Sequence, residues 1–241
     1  MEAKYSAYNH EESIKRIDQT LNNSDANYED RKSIPPRNTL TFSNGFYVDC
    51  AAIFVDMRDS KSLSEKHKRP TLAKIYKTYT SELVAILKDH SNVSEIYIEG
   101  DCVWGVYDTP YKQDIDNLFS LAAKASSLID TLNIKYKKKG YSEITVGIGL
   151  SYGSSLYIKA GYSGSGVNEV IWLGKLVGEA AKLCSYGNKT YADKEVMVSD
   201  IFYDNLNESN KNLLSKNYNR DCYHGNVVNI QMDEWVSKNA K

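Results

Sequence analysis

Apolar positions along the chain follow two periods, and the switches between them predict the elements. A short apolar run at residues 51–55, AAIFV, reads as a strand. Residues 69–89 carry Leu72, Ile75, Tyr76, Tyr79, Leu83, Ile86 and Leu87 on one helical stripe behind an N-terminal proline. Over residues 94–109, SEIYIEGDCVWGVYDT, Ile96 and Ile98 alternate before an acidic Gly-containing turn. Val103, Trp104, Val106 and Tyr107 follow it, and the two runs predict a hairpin. A second long helix over residues 114–138 places Leu118, Leu121, Ala122, Ala125, Leu128, Ile129 and Leu132 on one face, and Gly140 stops it.

Beyond that helix, EITVGIGLSYG and SSLYIKAG read as two paired strands, NEVIWLG as another, and GKLVGEAAKLCSYG as a helix closed by Gly187. EVMVS, a capped short helix from Ser199, and a last strand pair around CYHGNVVNIQM complete the domain. Strand, helix, hairpin, helix, strand is the order of a ferredoxin-like α/β (α+β) sandwich: an antiparallel-dominated sheet with helices on one face. Ile14, Ile17 and Leu21 recur at helical spacing in an otherwise polar N-terminal segment, and the turn and breaker residues through Pro35 and Pro36 follow. The expected organisation is therefore a helical extension and linker at residues 1–40, a main domain at 41–232 and a tail at 233–241. The N-terminal helix needs a surface to lie on, either the domain body or a second copy of the chain.

Composition narrows the function classes. The 241 residues, 41% hydrophobic, suit one large domain with a short extension. Thirty basic against 31 acidic residues leave a formal charge of -1, so no global basic field argues for DNA or RNA. The cysteines Cys50, Cys102, Cys184 and Cys222 stand far apart, as reduced, packed thiols of a cytoplasmic protein would. No basic-then-apolar leader and no membrane-length apolar run is present, so a soluble chain is expected. His10, His67, His90 and His224 show no ligand spacing.

In the expected fold the first strand and the hairpin are neighbours. Asp56 ends that strand in IFVDMRDSKSL and Asp101 sits at the hairpin turn. Carboxylates from adjacent strand ends suit hard divalent cations, Mg²⁺ or Mn²⁺, and leave positions for phosphate oxygens. Asp59 and Ser60 read as caps of the next segment, whose backbone amides face the same end.

The segments AAIFVDMRDS, IYIEGDCVWGV, ITVGIGLSYG and IWLGKLVGEAAKL, in this order, resemble the class III nucleotidyl cyclase catalytic domain. IPPRNTLTFSNGFYV leading into FVDMRDS, and IKAGYSGSG before IWLG, resemble the bacterial pyrimidine cyclases of the Pycsar antiphage system. The resemblance covers roughly residues 34–230. It implies a homodimer with composite sites. One chain would hold two divalent ions (Mn or Mg) on Asp56, Asp101 and the Met57 carbonyl, and the other would read the base and steady the transition state. It also implies a cyclic product that activates a separate cyclic-nucleotide-binding effector after phage infection.

The departures from the purine enzymes are specific. Their adenine-reading Lys and Asp fall on Tyr97 and Ile171, and an apolar Ile accepts no hydrogen bond from adenine's amine. Their transition-state Asn and Arg fall on Gly178 and Lys182; the lysine is a point charge without the guanidinium fork. Lys159, Lys175 and Arg220 are further triphosphate candidates. The sequence thus reads as a pyrimidine nucleotide cyclase acting on UTP or CTP, with UTP favoured because a carboxylate suited to the cytosine amine is missing at Ile171. The alternatives are a purine cyclase and a degenerate cyclase fold that binds nucleotide without turnover. The G-G-D/E-E-F tip of diguanylate cyclases is missing from the hairpin.

Overall fold

The computed structural model describes residues 4–240. In chain order, α1 (His10–Leu21) and β1 (Tyr28–Arg31) precede the long strand β2 (Gly45–Met57). Next come α2 (Ser60–Lys66), α3 (Arg69–Leu87), the hairpin β3 (Val93–Glu99) and β4 (Cys102–Asp108), and α4 (Lys112–Lys137). β5 (Val146–Gly161), β6 (Asn168–Leu173), α5 (Lys175–Tyr186) and β7 (Val196–Val198) follow. α6 (Asp200–Asn205), α7 (Glu208–Lys211), β8 (Ser215–Asn217), β9 (Cys222–Gly225) and α8 (Ile230–Asn239) end the described chain.

The sheet runs β3-β4-β2-β5-β7-β9-β8, with β1 paired to β2 and β6 to β5. β2 lies in the interior of the sheet, antiparallel to both β4 and β5, because it is apolar on both sides. Ala51, Ile53, Val55 and Met57 face α3 and α4, whereas Cys50, Ala52 and Phe54 face α5. The expected antiparallel-dominated α/β sandwich is present. The expectation of helices on one face describes α3, α4 and α6; α5 is the exception and packs with Leu176, Ala180 and Cys184 on the other side.

Two glycines explain that exception. A Cβ on Gly149 would stand 2.2 Å from both the Ala180 carbonyl and the Cys184 nitrogen, and one on Gly147 would stand 2.2 Å from the Cys184 carbonyl. The backbone of α5 therefore lies directly on β5, an approach only glycine permits. EITVGIGLSYG and SSLYIKAG were expected as two strands and are one 16-residue strand; its glycines admit a helix instead of breaking the ladder.

Two further expectations change. Residues 28–31, read as part of a linker, form β1 in parallel register with residues 45–48. The residues expected as a tail are most of α8, which docks on α4 through the Asn229 N–H to Ser127 Oγ at 2.9 Å and Lys135 over the Trp235 ring at 4.9 Å. α1 buries none of its residues; Ile14, Ile17 and Leu21 are exposed, and Arg16 lies over the Tyr162 ring at the end of the β5–β6 arm. All four cysteines are free, and no helix among the described residues is long and apolar enough to cross a membrane.

Candidate functional site

β2 and β4 pair until Asp56 stands opposite Cys102, which places Asp56 beside the hairpin tip that carries Asp101. The tip is tight because Gly100 takes φ +67°, a conformation that a side chain disfavours. From below, the Tyr79 hydroxyl of α3 donates to the Val55 carbonyl at 3.3 Å and fixes the end of β2. Asp56 is half-buried, and its carboxyl is held above the usual range by desolvation first and then by the charge of Asp101, with Arg58 opposing. A half-buried carboxyl whose ionisation a neighbouring carboxylate opposes forms a site that a cation relieves. The donor set is oxygen only, Asp56, Asp101 and the adjacent Met57 backbone, and fits a hard divalent ion. No cluster of three or more His, Cys, Asp or Glu side chains joins them among the described residues.

Arg58 was not singled out in the sequence. Its Nη2 donates to Asp56 Oδ2 at 2.8 Å and its Nη1 to the Ser185 carbonyl at 3.1 Å, so it ties the end of β2 to the end of α5. Asp59 stands at the start of α2 with φ 51° but makes no side-chain cap, contrary to expectation.

The cationic candidates separate. Lys182 lies 6.0 Å from the Tyr186 ring, and Lys189 and Arg220 approach the same ring at 5.7 and 4.4 Å. Tyr186 follows Ser185, so this cationic group adjoins the Arg58 anchor. Arg220 is partly neutralised: its Nε and Nη2 donate to Asp193 at 3.2 and 2.9 Å and hold that carboxyl down at about 2. A triphosphate role, expected for Arg220, thus competes with an ion pair to the buried Asp193, and of these three cations Lys182 and Lys189 have no carboxylate within ion-pair distance among the described residues. Lys159 is elsewhere, over Phe42 at 5.0 Å. A side chain on Gly178 would meet nothing within 4 Å, so the position is open but supplies no donor.

Tyr97 finds partners for its hydroxyl within the fold. It accepts from Trp172 Nε1 at 3.2 Å and donates to the Val170 carbonyl at 3.4 Å, and its ring stacks on Trp104 at 4.2 Å. Ile171 is exposed on β6 beside these two residues. The polar groups around this wall are Arg37, which lies within the IPPRNTLTFSNGFYV segment but carried no assigned role there, Glu95 and Glu169.

Comparison with known proteins identifies the family and the fold. Residues 44–226 match the adenylate and guanylate cyclase catalytic domain family. The chain is 36% identical over 260 residues, covering 99% of itself and all of its relative, to a protein of Gulbenkiania mobilis named uridylate cyclase. It is 36% identical over 235 residues, 96% of itself and 82% of the relative, to one of Treponema porcinum with the same name. Among solved structures, the adenylyl cyclase CyaB of P. aeruginosa superposes with a TM-score of 0.61 at 18% identity, over 71% of this chain and 85% of that one. A class III adenylyl cyclase-like ATP-binding protein from Pseudomonas aeruginosa superposes with a TM-score of 0.70 at 16% identity, over 93% and 49%. The two structures share the fold.

Proposed function

Because the chain belongs to the adenylate and guanylate cyclase catalytic domain family, we propose that it is a metal-dependent pyrimidine nucleotide cyclase converting UTP to 3′,5′-cyclic UMP and pyrophosphate. The observation that carries the pyrimidine reading is the identity, over nearly the whole chain, with two proteins named uridylate cyclase. The side chains at Tyr97 and Ile171 agree with it, since neither position carries the charged pair expected for adenine.

Asp56 and Asp101, with the Met57 carbonyl, would hold two Mg²⁺ or Mn²⁺ ions. Ions bound there would neutralise phosphate charge and lower the pKa of the attacking ribose 3′-hydroxyl. The chain's own contribution is electrostatic and positional. Arg58 keeps Asp56 oriented through Oδ2. Lys182, with Lys189 beside it, presents positive charge to the phosphates as pyrophosphate departs. In a homodimer with composite sites, Lys182 of α5 and the adjacent Lys189 of one chain serve the carboxylates of its partner. The product acts in the cytoplasm on a separate effector carrying a cyclic-nucleotide-binding domain, in defence against phage.

A second reading, nucleotide binding without turnover, is favoured by Gly178, where the transition state lacks a side-chain donor. One experiment separates the two. Purified protein with UTP and Mn²⁺ yields one cyclic UMP per pyrophosphate, EDTA stops the reaction and excess Mn²⁺ restores it. Saturable UTP binding with no cyclic product from UTP or CTP would select the second reading.

A further inference from the structure

Tyr97 stands where base reading is proposed, yet the one proton of its hydroxyl is directed to the Val170 carbonyl while its oxygen accepts from Trp172. Its ring lies on Trp104, which in turn lies on Phe54 at 4.7 Å with planes 6° apart. The wall is therefore a stack of rings, and the polar recognition of a base edge has to come from beside it. Glu95, two residues earlier on the same face of β3, and Glu169, two residues before Ile171 on β6, flank the wall. Arg37 joins them: its Nη1 donates to Glu95 Oε2 at 3.0 Å and its Nη2 to Glu169 Oε1. Through Glu95, two residues from Tyr97 on β3, and Glu169, next to Val170 on β6, the guanidinium is tied to both strands that carry the wall.

The exposures decide which group faces a ligand. The Arg37 side chain is 52% exposed, against 12% for Glu95 and 39% for Glu169. The facing Oε2 of Glu95 is taken by Arg37, and Glu169 Oε1 accepts from Arg37 and from the Val170 N–H at 3.0 Å. Two carboxylates thus fix the plane of a guanidinium whose remaining N–H groups point to no protein acceptor among the described residues. Guanidinium is a donor with no acceptor capacity.

We propose that Arg37 is the specificity-determining residue of the pyrimidine cyclase, donating to the 4-carbonyl of uracil, and that Glu95 and Glu169 hold it in position. This rests on the pyrimidine-cyclase reading above. Uracil offers a carbonyl acceptor at position 4, whereas cytosine offers an amine, which sets donor against donor. A donor that the bound base desolvates without offering an acceptor lowers affinity by roughly ten- to a hundred-fold, so the arrangement selects UTP over CTP.

The test is kcat/KM for UTP and for CTP, determined separately for the wild type, Arg37→Ala, Arg37→Lys and Arg37→Gln, with melting temperatures alongside. Arg37→Ala is expected to lower the UTP-to-CTP ratio by about ten-fold or more, mainly through loss of UTP turnover. Arg37→Gln, whose amide oxygen accepts from the cytosine amine, shifts the ratio further toward CTP. If Arg37→Ala does not fold, Arg37→Lys keeps a charge between the carboxylates, loses the planar fork, and still lowers the ratio. Parallel loss on both substrates with an unchanged ratio would make Arg37 a structural clamp and overturn the assignment alone. A wild-type enzyme that cyclises neither pyrimidine overturns the underlying reading and this assignment with it.

Discussion

Asp56→Ala and Asp101→Ala each lower cyclic-nucleotide formation by on the order of 10³-fold or more, while the protein stays folded. The two carboxylates converge from the end of β2 and the tip of the β3–β4 hairpin, and each is needed because a divalent ion shared by two anions binds far more weakly to one. The effect falls on chemistry and not on folding. Asp101 already raises the cost of ionising Asp56, so Asp101→Ala relieves a repulsion in the metal-free protein. Its melting temperature without metal is therefore expected to equal or exceed that of the wild type, and the gain in melting temperature on adding Mn²⁺ is expected to shrink. Quantified product and paired melting curves check both parts. A variant keeping more than a tenth of wild-type turnover would contradict the assignment.

The second large effect is a rescue. Asp56→Ala and Lys182→Ala homodimers are each strongly impaired, but mixing the two chains restores activity to about a quarter of wild type when subunits exchange freely. Half of the dimers are then mixed, and one of the two sites in each receives an intact carboxylate pair from one chain and an intact Lys182 from the other. Activity that stays at the level of the parents, with mixed dimers demonstrated by mass, would place each site within a single chain.

The legible parts of the fold are those whose period is uninterrupted by exposure. The stripe of α3, the two-faced apolar run of β2 and the alternation around Gly100 all report burial directly. β1 escaped because Glu29, Asp30 and Arg31 are exposed on an edge, where a strand carries no hydrophobic alternation. α8 escaped because none of its residues is buried, and only part-buried positions such as Met232 touch the core. The glycines of β5 mimic strand punctuation, although their use is the close approach of α5.

At the site, Asp56 and Asp101 were legible because each sits at the end of a recognisable element. Arg58 and Arg37 were not. Arg58 pairs with nearby Asp56 but also reaches Ser185, and Arg37 reaches Glu95 and Glu169; these remote partners are brought together only by folding. The same folding directs the Tyr97 hydroxyl proton to Val170, which no pattern within β3 discloses.

The central claim is that this cyclase fold acts on a one-ring base, and a competition tests it most directly. Equimolar ATP, GTP, UTP and CTP are incubated with the purified protein and Mn²⁺, and the cyclic products are identified and quantified by mass spectrometry at early times. Cyclic UMP is predicted to be the dominant product, with cyclic CMP below it and cyclic purine nucleotides at background. Dominant cyclic AMP or cyclic GMP would contradict the account.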